Sequence, residues 1–215
     1  MRRTSQWVTR STSCTATFRT SCPRASGFPR GPLALRACRA IAAAMADQPT
    51  SGEYRTGHDP RTLRDALGCF ATGVTVVTCV GPDGKPAGLT VNSFTSVSLD
   101  PPLLLVCLHK LALSSAALVG ASHFAVNVLQ TGQQPASITF STRVEDRFGT
   151  MPWSCGEAGA PILKDSLGVF ECRRHAVHDG GDHHILIGEV VKASFDAGLD
   201  PLLFFRGRYR RLHFD

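Results

Sequence analysis

The sequence predicts a mainly β domain, an antiparallel barrel with a few short helices, and three observations carry that expectation. Seven or so apolar or β-branched runs of strand length are separated by turns rich in Gly, Pro, Asn and Asp. Only brief helical patterns interrupt them, without the steady strand-helix alternation that builds a parallel sheet. No glycine fingerprint of a dinucleotide-binding crossover follows the first strand, which argues against a doubly wound sheet.

The elements follow in order. Asp59 and Pro60 form an N-cap and N1 pair, and Leu63, Ala66, Leu67 and Phe70 keep the i, i+3, i+4, i+7 spacing of an amphipathic helix, which should stop near Gly73. Val74 to Val80 is β-branched and strand-like. Gly81-Pro82-Asp83-Gly84 is a turn, so Gly88 to Leu99 returns as the next strand or pair of strands. Leu103 to Leu108 is a continuous apolar strand, Ser114 caps a short helix through Gly120, and Phe124 to Leu129 is strand again. A second short helix near Pro135 to Phe140 precedes a long irregular segment to Pro161. Strands are expected last at about Leu167 to Val177, His184 to Phe195 and Leu202 to Leu212.

Charge divides the chain of 215 residues, whose formal net charge is +6. Residues 1–45 hold eight arginines and neither Asp nor Glu; removing those eight from the 23 basic residues leaves 15 against 17 acidic ones, a net −2. The leader reads either as an organelle transit peptide or as a start assigned too far upstream, with Met45 the true initiator. It lacks the aromatic interleaving of a nucleic-acid-binding arm, and no nucleic-acid partner is expected. Residues 46–59 read as a polar extension and 60–212 as one folded domain, large enough for its own core. Its five cysteines (Cys69, Cys79, Cys107, Cys155, Cys172) form no CxxC pair and lie mostly in apolar runs. They suit buried thiols in a reducing, cytoplasmic compartment. No apolar run approaches the roughly 18 residues of a membrane span.

Several segments carry candidate chemistry. Gly88 to Pro102, GLTVNSFTSVSLDPP, gathers short hydroxyl and amide groups with no charge before Asp100, as suits a wall against a neutral ligand more than a solvated strand face. Strand alternation puts Thr90, Asn92, Phe94, Ser96 and Ser98 on one side and Val91, Ser93, Thr95 and Val97 on the other. Asn92 and Ser93 can therefore meet one ligand only through a bend or bulge near Asn92 to Phe94. In FATGVTVVT (Phe70 to Thr78), Gly73 permits close backbone approach and Thr72 and Thr75 add hydroxyls, although a glycine that ends a helix needs no ligand. HKLALSS (His109 to Ser115) offers Lys110 as a point charge beside Ser114 at a helix start. In RVEDRF, Arg147 can meet an anion or pair with Glu145 or Asp146. HAVHDGGDHH contains six possible metal ligands (His175, His178, Asp179, Asp182, His183, His184), but the double glycine signals a hairpin that points several of them apart, and no metal site is assigned.

FATGVTVVT, the Gly88 to Pro102 run and HDGGDHHILIGEV (His178 to Val190) together resemble the flavin reductase family, over roughly residues 60 to 212. Members are split β-barrel proteins that reduce FMN or FAD with NADH or NADPH, often for a partner flavin-dependent monooxygenase. The resemblance implies a homodimer and flavin contacts at Thr72, Gly73, Val74, Thr75, Thr90, Asn92, Ser93, Phe94 and Ser98. It also implies a flavin phosphate near Lys110, Ser114 and Arg147. Gly181-Asp182-His183 matches the family's GDH triplet, which implies that His183 orients the nicotinamide beside the flavin. The implied reaction passes hydride from nicotinamide C4 to flavin N5 and asks the protein mainly to stack two rings. Consistent with that, the sequence shows no GxSxG and no convincing nucleophile-base pair. A flavoprotein that retains FMN and passes electrons onward, and a flavin-binding module without turnover, are the alternatives. FMN against FAD, and NADH against NADPH, stay open.

Overall fold

The computed structural model describes residues 51–57, 59–144 and 146–212. The Arg-rich leader, the residues up to 50 of the polar extension, and Glu145 as a partner for Arg147 lie outside the described residues. Among the described residues the fold is mainly β with three short α-helices. In chain order it runs α1 (Pro60–Leu67), β1 (Thr72–Gly73), β2 (Thr75–Val80), β3 (Pro86–Val91), β4 (Thr95–Leu99) and β5 (Pro102–His109). Then come α2 (Ser115–Gly120), β6 (His123–Val128), a 3-10 turn (Thr131–Gln133) and α3 (Gln134–Ser141). The chain ends with β7 (Trp153–Cys155), β8 (Pro161–Leu163), β9 (Gly168–Gly180), β10 (His183–Phe195), β11 (Leu203–Phe205) and β12 (Arg208–Arg210).

Seven strands form one antiparallel sheet in the order β3-β2-β6-β9-β10-β5-β4. Its two edges, β3 and β4, are consecutive in the chain and joined by Asn92, Ser93 and Phe94 alone. Six strand spacings would separate the edges of a flat sheet by about 29 Å, and this link reaches about half of that. The sheet therefore curls until its edges approach. Among the described residues no strand pairing closes the seam between them. Inside the curl lies a core of Val77, Cys79, Leu104, Val106, Leu108, Leu118, Phe124, Val126, Cys172 and Leu186, drawn from five strands and α2. Gly188 of β10 faces it, where a Cβ would stand 2.4 Å from Phe124 Cζ.

A second core covers the outside of β2, where Val74, Val76, Leu129 and Leu202 meet Phe140 of α3, Phe148 and Leu163. Val74, Leu129 and Leu202 bond in a ring, each N–H donating to the next carbonyl at 2.9–3.1 Å, and from this point β11 and β12 leave with β1 as a separate three-stranded sheet. Wholly buried Asn127 ties the two layers together. Its amide donates to the Val76 carbonyl and the Thr78 hydroxyl at 3.0 and 3.1 Å, and its oxygen accepts the Leu163 N–H at 2.9 Å.

Several element expectations are corrected. α1 begins on the Asp59 cap, whose carboxylate accepts the Arg61 N–H, but it ends at Leu67 rather than near Gly73. None of its residues is buried, Phe70 is 78% exposed, and the Gly68 carbonyl accepts the Arg206 N–H, so no packing prolongs it. The bend expected at Asn92 to Phe94 is present and divides Gly88 to Leu99 into β3 and β4. The segment before Pro161 contains β7, paired with β8. Leu202 to Leu212 is a hairpin turned at Arg206 and Gly207, with φ of 49° and 70°. Ser114 holds the N-cap position of α2, as expected, but its hydroxyl makes no capping bond and donates to the Gly88 carbonyl at 2.8 Å. Of the five cysteines only Cys79 and Cys172 are buried, while Cys69 and Cys155 are exposed, and all are free. Among the described residues no helix is long and apolar enough to cross a membrane.

Candidate functional site

Strand register brings three separated segments to one region. Thr75 opens β2 opposite Val91, the last residue of β3, so Thr72 to Thr75 lies beside the β3–β4 link. The link is fastened in turn to β5: the Ser93 hydroxyl donates to the Cys107 carbonyl at 3.0 Å and accepts the Cys107 N–H at 2.9 Å, replacing a strand residue along that edge. Two residues further along β5 is His109, paired in register with His183 of β10. Their rings meet edge to face, centroids 5.0 Å apart at 87°.

Within this region side chains divide into engaged and available. Thr75 is buried with its hydroxyl on the Val91 carbonyl at 3.0 Å, and Thr90 donates to the Ser137 carbonyl at 2.8 Å. Val74 belongs to the outer core and Phe94 stacks on Phe170 at 5.5 Å against the inner one. The Ser98 hydroxyl accepts the Asp100 N–H. By contrast Thr72 Oγ1 is buried without a hydrogen-bond partner, Gly73 is exposed with open space where a Cβ would stand, and Asn92 is exposed. A buried hydroxyl without a partner forfeits the water it had in the unfolded chain, so the Thr72 oxygen fits a ligand's polar edge.

The hairpin between β9 and β10 turns on Gly181 and Asp182, with Gly181 at φ 79°, the left-handed value glycine adopts freely. His183 Nδ1 is 2.6 Å from Asp182 Oδ1, and that bond holds the Asp182 carboxyl below the usual carboxylate range. On a neutral ring the contact puts the proton on Nδ1 and leaves Nε2 as an acceptor. His109 is oriented from its own side, its Nδ1 accepting the Leu111 N–H at 3.1 Å. Among the described residues no three His, Cys, Asp or Glu side chains are grouped to hold a metal ion.

Of the three residues expected around a phosphate, Ser114 and Arg147 are in contact with each other and Lys110 is engaged with the hairpin. Lys110 Nζ lies 2.5 Å from Asp179 Oδ2, on the hairpin. Ser114 is buried against Gly88. Arg147 binds the Gly88 carbonyl at 2.7 Å, the Ser114 hydroxyl at 3.2 Å and the Thr142 carbonyl at 2.7 Å, which clamps the segment after α3 onto β3. Asp146 accepts the Gly149 N–H instead of pairing with Arg147. Sequence reading missed His109. It stands beside the singled-out Lys110, but its meeting with His183, 74 positions away, depends on strand order, which no local pattern announces.

Residues 67–213 match the flavin reductase like domain family. A Rhizobium meliloti protein named "Probable flavin reductase" is 52% identical over 151 residues, covering 70% of this chain and 48% of that protein, so the chain spans about half of that relative's length. The FMN reductase (NADH) of Agrobacterium fabrum is 47% identical over 155 residues, 72% of this chain and 87% of its own. The reductase subunit of a Rhodococcus jostii flavin-dependent monooxygenase is 43% identical over 151 residues, 70% and 77% of the two chains. Among solved structures, the Streptomyces globisporus NADH:FAD oxidoreductase in complex with NAD and FAD fragments superposes with a TM-score of 0.71 at 42% identity, covering 75% of this chain and 98% of its own.

Proposed function

This chain belongs to the flavin reductase like domain family, and from that premise we propose that it is an NADH-dependent flavin reductase acting on FMN or FAD and supplying reduced flavin to a flavin-dependent monooxygenase. One observation carries the reading: Asn92 with Ser93, and His183, some 90 positions apart, come within two residues of each other along β5. Thr72 Oγ1 and the Asn92 amide would hold the flavin edge, with Gly73 leaving room for the ring, while His183 Nε2 would orient the nicotinamide. When bound, flavin supplies the N5 that receives hydride from nicotinamide C4. The chain's own part is to hold the two rings in register and exclude water. We propose Thr75, Thr90, Ser93 and Ser98 as supports of that wall, because their hydroxyls are engaged within the protein.

The architecture is a split barrel whose seam is the β3–β4 link. The outward face of β5 and β10, where Leu103, Leu105, Ile185 and Ile187 are half buried, is the face a second copy covers to make the homodimer. Free thiols suit a cytoplasmic setting. The test is NADH oxidation by purified protein with and without added FMN or FAD, alongside absorbance of any flavin that copurifies. Turnover that rises with added flavin supports a reductase; tight flavin without NADH oxidation refutes it.

A further inference from the structure

One side chain holds the hairpin that carries His183. Lys110 Nζ contacts Asp179 Oδ2 at 2.5 Å, and the other Asp179 oxygen accepts the Gly181 N–H at 3.0 Å. The Lys110 N–H donates to the Asp182 carbonyl at 2.9 Å. Asp179, two residues before the Gly181–Asp182 turn, and Asp182 within it are therefore both tied to the end of β5, the first by the Lys110 side chain and the second by the Lys110 backbone. The same Asp182 positions the His183 ring through Nδ1. Lys110 is also turned away from phosphate-binding company. Ser114 is buried on Gly88, α2 is six residues long, and the ammonium's hydrogen-bond partner among the described residues is the Asp179 carboxylate.

We propose that Lys110 is a positioning residue for His183, setting the nicotinamide side of the site through Asp179 rather than anchoring the flavin phosphate. The inference rests on the reading that His183 orients the nicotinamide. An exposed ion pair contributes little stability, so its loss leaves the fold standing while the turn loosens. A catalytic group displaced by about an ångström loses much of its effect.

The experiment compares Lys110→Met, Lys110→Arg, Asp179→Asn, His183→Ala and Lys110→Met/His183→Ala in the full chain, by NADH steady-state kinetics and by FMN and FAD fluorescence titration, with thermal midpoints as the fold control. Lys110→Met and Asp179→Asn should each raise KM for NADH about three- to tenfold, with flavin Kd within about twofold of wild type. Lys110→Arg should recover most of the loss, and Lys110→Met should add nothing once His183 is gone. An Asp179 effect matching that of Lys110 is telling, since freeing a phosphate-anchoring lysine from its carboxylate would tighten flavin. Weakened flavin in Lys110→Met with unaltered or tighter flavin in Asp179→Asn overturns the proposal, as do normal NADH kinetics in both. Normal NADH kinetics in His183→Ala overturns the underlying reading instead.

Discussion

Asn127 uses its whole amide inside the protein, so its replacement has a definite cost. Asn127→Ala leaves the Leu163 N–H buried without its partner and removes the side-chain bond to the Val76 carbonyl, and an orphaned buried group costs about 1–3 kcal/mol. We expect a loss of about 3 kcal/mol in urea unfolding, with the β8 segment the first to open. The thiols separate in a similar way. Burial pushes Cys79 up to about 11, and burial together with the neighbouring Glu171 carboxylate pushes Cys172 up to about 12. Iodoacetamide at pH 8 should therefore label Cys69 and Cys155 and leave Cys79 and Cys172 unmodified, as peptide mapping will report. Both buried thiols hold their protons more tightly folded than unfolded, so their contribution is complete below about pH 8.5. It is lost as pH rises through 11. Residue chemistry of this kind was half legible beforehand. The run of short polar groups from Thr90 to Ser98 stood out, but whether a given hydroxyl faces a ligand or a neighbouring carbonyl depends on which strand passes beside it.

At the scale of elements, the β3–β4 link shows why strand existence is easier to read than strand ends. Alternation and the lack of charge marked Gly88 to Leu99 as strand, and the need to bring Asn92 and Ser93 together marked the bend. The partner that makes the bend stable, the Cys107 backbone, was not visible. Two variants separate support from contact. Ser93→Ala should lower stability by about 1–2 kcal/mol in denaturant unfolding, because it leaves both Cys107 backbone groups unpaired. Asn92→Ala should leave stability unchanged and weaken flavin binding several-fold in fluorescence titration, the loss of about one hydrogen bond. Equal flavin affinity in Asn92→Ala places that amide in solvent only. α1 makes the opposite point. Its apolar spacing is genuine, but with no face against the core the helix stops where spacing alone would carry it on.

For the whole molecule, the half-buried face of β5 and β10 bears on assembly. If the proposed homodimer forms through this face, Ile187→Lys should yield monomer by light scattering where the unaltered chain yields dimer, and reduce NADH oxidation, while the inner core, on the other side of the sheet, stays intact. A dimer that survives the substitution moves the interface elsewhere. The sequence by itself determined the mainly β class, most strands, the glycine-turned hairpin before His183 and the polar run beside the bend, because strand alternation and turn chemistry are local properties. The motifs in their order also pointed to the family. Only the tertiary structure decided that β3 and β4 are opposite edges of one curled sheet, that Ser93 and Thr75 hold neighbouring strands, that Lys110 faces Asp179, and that His109 meets His183. Each of these pairings joins distant positions through strand order and register, which are chosen by burying one common core rather than by any segment alone.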